Sequence, residues 1–294
     1  MNWKRLNFDQ DTLLLWILRI GAFGCFIGWA WVHYYWEGPY GVLLWKQSTY
    51  ALAESLGISW DAYVGTGAND GVVQKIGKWL WVPFAVCAIL SLTVRRKAWV
   101  QTGFLGIGFL FLVGLSYAKY LKSQEQLPMF VEHGGQMLMP VILVLAVQLG
   151  VRHKATVIVA IIAFIATFAG HGCYALGLGW PTPNNFYAMT GSILKTDHQT
   201  STIFLRVAGV LDFIICVTVF FKLLRRPSVL WGVIWGGLTA LARPVAGMST
   251  DLRFFGADLF LHETVLRAPH WMIPLFLFVL WTGEGRVNSI KSGS

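Results

Sequence analysis

Eight apolar runs, at residues 13–36, 79–94, 98–117, 130–151, 155–177, 203–224, 229–246 and 266–281, constrain this chain more than any other feature. They approach or exceed the roughly 20 residues with which an α-helix crosses about 30 Å of hydrocarbon. Inside hydrocarbon every backbone N–H and C=O must be satisfied within the protein, so runs of this length read as spanning helices. Composition agrees. The 294 residues are 56% hydrophobic and 13% charged, with a mean hydropathy of +0.59, against roughly 45–50% apolar and about 25% charged residues in soluble domains. A soluble fold is excluded. The expected class is all-α, a polytopic membrane bundle of about eight transmembrane helices.

The formal charge of +9 has to be sorted by membrane side before it is read as a binding signal. Lys4/Arg5, Arg95/Arg96/Lys97, Arg152/Lys154, Lys222/Arg225/Arg226 and Arg286/Lys291 fall on alternate links, where the acids are Asp9, Asp11 and Glu284. By the positive-inside rule those links are cytoplasmic, which places both termini in the cytoplasm and the chain in the plasma (inner) membrane. On the opposite links Lys46, Lys75, Lys78, Lys119, Lys122, Lys195, Arg253 and Arg267 are balanced by nine acids, so the basic balance implies no nucleic-acid partner. Lys4 and Arg5 precede the first run and no A-x-A site follows it, which reads as an uncleaved first helix. Cys25, Cys87, Cys173 and Cys216 lie within apolar runs and read as packing residues.

The longest outer link runs from Glu37 to Lys78. Within it Ser48 and Ser59 read as N-caps of short helices, and Asn184/Asn185 as the cap of an amphipathic stretch through Phe186, Met189, Ile193 and Leu194. Such segments lie in the interface plane or pack as lids on the bundle. Gly24-x-x-x-Gly28 and Gly232-x-x-x-Gly236 read as close helix contacts inside it.

A parallel repeat runs through the pattern. The segment His133-Gly-Gly-Gln-Met-Leu-Met-Pro140 parallels Arg267-Ala-Pro-His-Trp-Met-Ile-Pro274, each at the fourth helix of a half, and Gly28 to Pro39 parallels Gly170 to Pro183 after the first. This divides the chain into four-helix halves, 1–154 and 155–294; shared composition of Pro- and Met-containing helices is the competing account.

Ionisable groups in spanning helices are costly enough to mark a site. Six of the seven histidines, His33, His133, His171, His198, His262 and His270, fall at the outer ends, with Glu132, Gln136, Arg206, Arg243, Glu263 and Arg267 at similar depth. Asp212 falls near the midplane, six residues beyond Arg206, a spacing that does not pair along one face. Its cation would come from another helix, with Arg19 the candidate. Glu132 and Gln136 share a face, with His133 on a neighbouring one, and Glu132 is placed to orient a histidine or accept a proton. Glu263 and Arg267, at i and i+4, are expected to pair. Catalytic candidates are Glu132, His133 and Asp212; ligand-binding candidates are His171, Arg206, Arg243, Gln136, His262, Glu263 and Arg267. A network bracing the helix ends accounts for the same residues. Histidine spacing supports no metal or haem site, and no phosphate-loop, dinucleotide or nucleophile-elbow motif occurs.

The second half resembles the DoxX-like four-helix membrane family, through Gly170-His-Gly-Cys-Tyr, the amphipathic stretch 186–194 and Leu205-Arg-Val-Ala-Gly-Val-Leu-Asp212. The resemblance implies a link to quinone-dependent oxidoreductases and gives Asp212 the place of the family's second-helix carboxylate, which is usually Glu. Arg19, the outer aromatics and Glu37-Gly-Pro39 are similar, more faintly, to the membrane domain of vitamin K-dependent carboxylase relatives. Three functions follow: a redox or accessory module with an outer pocket for a quinone or lipid; a proton-coupled transporter using Asp212; and a non-catalytic subunit docking protein partners through its outer loops. Apart from Arg19 the cytoplasmic halves of the spans are almost wholly apolar, which favours a one-sided pocket over alternating access.

Overall fold

The structure, a computed structural model, describes residues 10–66 and 68–291, with side chains through residue 282. Lys4, Arg5, Asp9, Glu284, Arg286 and Lys291, on which the reading of the termini relied, lie outside the residues whose side chains are described.

Among the described residues, seven helices are long and apolar enough to cross a membrane: Gln10–Tyr35, Val72–Thr93, Trp99–Lys122, Leu127–Leu149, Lys154–Leu176, His198–Thr218 and Arg225–Gly247. A bent pair, Arg253–Leu266 with Ala268–Thr282, makes an eighth when counted as one span. They are numbered here in chain order. Between them, apolar side chains such as Ile20, Ile89, Leu110, Ile162, Val210 and Ile234 stay exposed on the outside of the bundle, as hydrocarbon-facing surfaces require.

The second span begins seven residues before the apolar run at 79, because Val72, Val73 and Ile76 extend a stripe along Lys75 and Lys78. Gln74 fixes that start by accepting from the Gly71 N–H at 3.0 Å and donating to the Val64 carbonyl at 2.6 Å. The link before it holds three short helices, Gly41–Leu44, Gln47–Ser55 and Trp60–Val64, and a two-residue hairpin, packed on a small core of Ala53, Tyr63 and Val73. Ser59 caps its helix, accepting from Ala62 N–H at 3.3 Å. Ser48 does not, since the helix starts one residue earlier and Thr49 accepts the Lys46 N–H instead. Asn184 and Asn185 do not cap either: Asn184–Leu194 starts directly after Pro183, with no side-chain capping bond.

Packing follows one pattern twice. The first span packs on the second, on the fourth and on both segments of the eighth; the fifth packs on the sixth, on the eighth and on both segments of the fourth. The third span packs on the fourth, and the seventh on the eighth. At the centre of each crossing lies a glycine. A Cβ at Gly28 would come within 2.6 Å of Leu266 Cα, and one at Gly170 within 2.6 Å of Glu132 Cα, so only glycine admits these helices at this separation. The residue after each contact is where the helix breaks. His133 (φ −81, ψ 1) and Arg267 (φ −89, ψ 9) take the same non-helical conformation, each seven residues before a proline, Pro140 or Pro274.

Arg19 shows why the bundle tolerates a guanidinium. It donates to the Ser91 carbonyl at 3.2 Å, to Val94 at 2.7 Å, and to Leu92. These are carbonyls that the end of the second span leaves without intrahelical donors.

Candidate functional site

The two helix breaks project polar side chains into one region at the histidine-bearing end of the bundle. Glu132, just before the first break, lies between two imidazoles: Oε1 is 3.7 Å from His133 Nδ1 and Oε2 is 3.7 Å from His171 Nδ1. His133 is held from both sides. Its Nδ1 faces the Met129 carbonyl at 2.7 Å and its Nε2 faces Lys119 Nζ at 3.2 Å. Because a carbonyl only accepts and an ammonium only donates, His133 carries its proton on Nδ1. Lys119 also lies over the Trp29 ring, 4.9 Å from its centroid, while the Trp29 indole donates to Gln136 Oε1 at 2.8 Å.

The second break supplies a charged triad. Glu263 pairs with Arg267 through its other oxygen while Oε1 lies 3.4 Å from Arg243 Nη1, with His262 Nε2 3.8 Å away. One carboxylate thus serves two guanidiniums that would otherwise repel. His270, one turn into the following helix, meets His171 at a ring separation of 5.5 Å.

Beside this network lies a cavity of about 320 Å³, between the fifth, sixth and seventh spans under the helix Asn184–Leu194. Most of its lining is apolar: Phe168 and Ala175 from the fifth span, Phe186, Met189 and Ile193 from the covering helix, Phe204 and Ala208 from the sixth, and Leu238 and Ala242 from the seventh. Polar groups reach it from two directions. His171, Arg243 and Arg267 line the side toward the charged network, and Asp212 lines another wall with Trp235. Asp212 is 2% exposed, and among the described residues its Oδ1 has no hydrogen-bond partner.

Of the residues singled out from sequence, Glu132, His133, His171, Arg243, His262, Glu263 and Arg267 come together in the charged network, with Gln136 beside it on Trp29. Asp212 joins His171, Arg243 and Arg267 around the cavity. Glu132 and Gln136 do not share an environment, since the break at His133 turns them apart: Glu132 faces the fifth span and Gln136 the first. The expected Glu263–Arg267 pair forms. Arg206 is exposed and is not among the cavity residues; with Asp212 turned inward, a residue six positions earlier faces elsewhere. Arg19 does not reach Asp212, its donors being taken by the second span's carbonyls. His33 is fully buried in the first half, between the Trp29 carbonyl at 2.6 Å and Tyr40 Oη at 2.9 Å, and burial pushes the Tyr40 hydroxyl up from its ordinary pKa. His198 meets the Tyr187 ring at a tilt, 4.4 Å between centroids, away from the network.

Lys119, Trp29 and Trp235 belong to the site and were not foreseen. Lys119 was legible: a turn of a few residues joins the third span to the fourth, so Lys119 and His133 come from adjoining helix ends. Among the described residues no group of three or more His, Cys, Asp or Glu is assembled as metal ligands. In comparisons with known proteins, no family model, curated protein or solved structure matches this chain.

Proposed function

We propose that this chain is an integral membrane protein that binds an amphipathic molecule, a quinone or a membrane lipid, in the cavity beside its histidine cluster, and serves as a redox-linked or accessory module. The observation that carries the reading is the cavity itself, whose lining is apolar along most of its length and polar where His171, Arg243 and Arg267 meet it. Binding sites for small molecules have this composition, with a few placed polar groups fixing orientation. In the same reading the histidine end faces the periplasm, because the opposite links carry Arg95, Arg96, Lys97, Arg152, Lys154, Lys222, Arg225 and Arg226. Both termini are then cytoplasmic, in the plasma (inner) membrane. The halves 1–154 and 155–294 form a duplicated four-helix unit with the second DoxX-like, a reading supported by the paired breaks at His133 and Arg267 and the paired glycine crossings.

The test is mass spectrometry of gently purified protein, comparing the wild type with Ala242→Phe, which adds a ring to the cavity wall. A stoichiometric quinone or lipid lost in the variant supports the reading. Protein that carries the same molecules in both forms, or none, sinks it.

A further inference from the structure

The hydrogen-bonding groups around the cavity are not equally engaged. Arg243 and Arg267 share the Glu263 carboxylate. Among the described residues, His171 Nε2 and Asp212 Oδ1, both buried, have no hydrogen-bond partner. Both residues line the cavity from elements in contact: Asp212 packs against Gly172, the residue after His171, closely enough that a Cβ there would lie 3.2 Å from Asp212 Cβ.

Both can accept. A carboxyl keeps an accepting oxygen in either protonation state, and when protonated it also donates. His171 turns Nδ1 toward Glu132, and a carboxylate at that nitrogen holds the ring proton there, leaving Nε2 as an acceptor. Two residues of the cavity lining therefore each carry an unmet acceptor, and a ligand head that completes both must bring donors. An anionic head has only acceptors, and it would also have to displace Glu263 from its arginines. A carbonyl head cannot donate either and leaves His171 Nε2 unpaired, at a cost of about 1–3 kcal/mol. Phe168, Phe186, Phe204 and Trp235 add ring surfaces to the same walls, which suit a flat head.

We infer that the cavity takes a neutral amphiphile with a hydroxylated aromatic head, its hydroxyls donating to Asp212 Oδ1 and His171 Nε2, and that it discriminates against anionic lipids. The inference rests on the cavity being the amphiphile site.

It is tested with three probes sharing one chain, 4-decylresorcinol, its dimethyl ether and decanoate at pH 8, by equilibrium binding to the full-length protein in nanodiscs, with Ala242→Phe as the cavity control. The expected result is that the resorcinol binds at least about tenfold tighter than either of the others, a factor on the scale of one or two hydrogen bonds. In Asp212→Leu and His171→Phe, each of which removes one acceptor, the advantage over the dimethyl ether shrinks. If the ether or decanoate binds as tightly as the resorcinol, and Ala242→Phe weakens all three, the head-group inference is overturned while the cavity reading stands. If Ala242→Phe changes nothing, or no probe binds, the cavity reading falls and the inference with it. The comparison among probes on the wild type decides the question even where a variant does not fold.

Discussion

Glu132 Oε2 lies 3.7 Å from His171 Nδ1 although the two residues stand on different spans, and the contact exists because Gly170, next to His171, lets the fifth span close on the break that follows Glu132. The carboxylate is thus a bridge between helices as well as a partner for two imidazoles. Glu132→Gln keeps the shape and removes the charge. We expect it to destabilise the bundle by about 1–3 kcal/mol, the cost of leaving buried polar groups mismatched, and to free the His171 ring tautomer. Thermal unfolding in detergent and ¹⁵N imidazole spectra measure the two effects; an unchanged tautomer ratio would count against the bridge.

The shared carboxylate at the second break predicts an asymmetry. Arg267→Met leaves Glu263 with Arg243, whereas Glu263→Gln leaves two guanidiniums facing each other, so the glutamate variant should be the less stable. Each lost charged hydrogen bond is worth about 1.5–3 kcal/mol. Restoring stability to Glu263→Gln with a second change, Arg243→Met, would show that repulsion is the cause, and a double variant no better than the single would show that it is not.

Glycine substitutions should divide into two groups. Gly28→Ala and Gly170→Ala place a methyl against the backbone of a crossing helix and should each cost about 1–3 kcal/mol through overpacking. Gly103, Gly106 and Gly114 have nothing within 4 Å of an added Cβ, and Ala there should be neutral or stabilise by up to about 1 kcal/mol. Yields of monodisperse protein and melting temperatures for the five variants would test the division. Equal behaviour across both groups would contradict the packing account.

Asp197 gives a pH dependence outside the membrane spans. Its carboxylate accepts from the Thr200 N–H at 2.8 Å at the start of the sixth span, and that backbone bond, with the Thr200 hydroxyl, holds its pKa below the ordinary carboxylate value. A lowered native pKa means that the cap's contribution is complete above the unfolded carboxyl pKa and is lost as pH falls through the native one. Asp197→Ser, whose hydroxyl caps without ionising, should abolish this acid-side loss of stability. The comparison is a pair of melting curves taken from pH 7 to pH 3.

The spanning helices were legible in the sequence because length and apolarity alone decide them, and the i, i+4 pair of Glu263 and Arg267 because one helix carries both. The breaks at His133 and Arg267 were not: neither residue forbids a helix, and each break lies seven positions before its proline. What ends the helix there is the neighbouring glycine crossing, which is tertiary. For the same reason the expected face shared by Glu132 and Gln136 does not survive, since periodicity cannot be carried across a break. Arg19 was assigned to Asp212 from depth alone, whereas the carbonyls at the end of the second span were nearer acceptors. The cavity depends on how the covering helix Asn184–Leu194 lies over three spans, and sequence supplied His171, Asp212, Arg243 and Arg267 from its wall without Trp235 or its shape.

The two glycine crossings are reciprocal: the groove on the first span receives the break of the eighth, and the groove on the fifth receives the break of the fourth. Neither set of four helices fills its own groove. A chain of half this length would keep an empty notch and a helix break with nowhere to lodge, unless a second copy offered the complement of both.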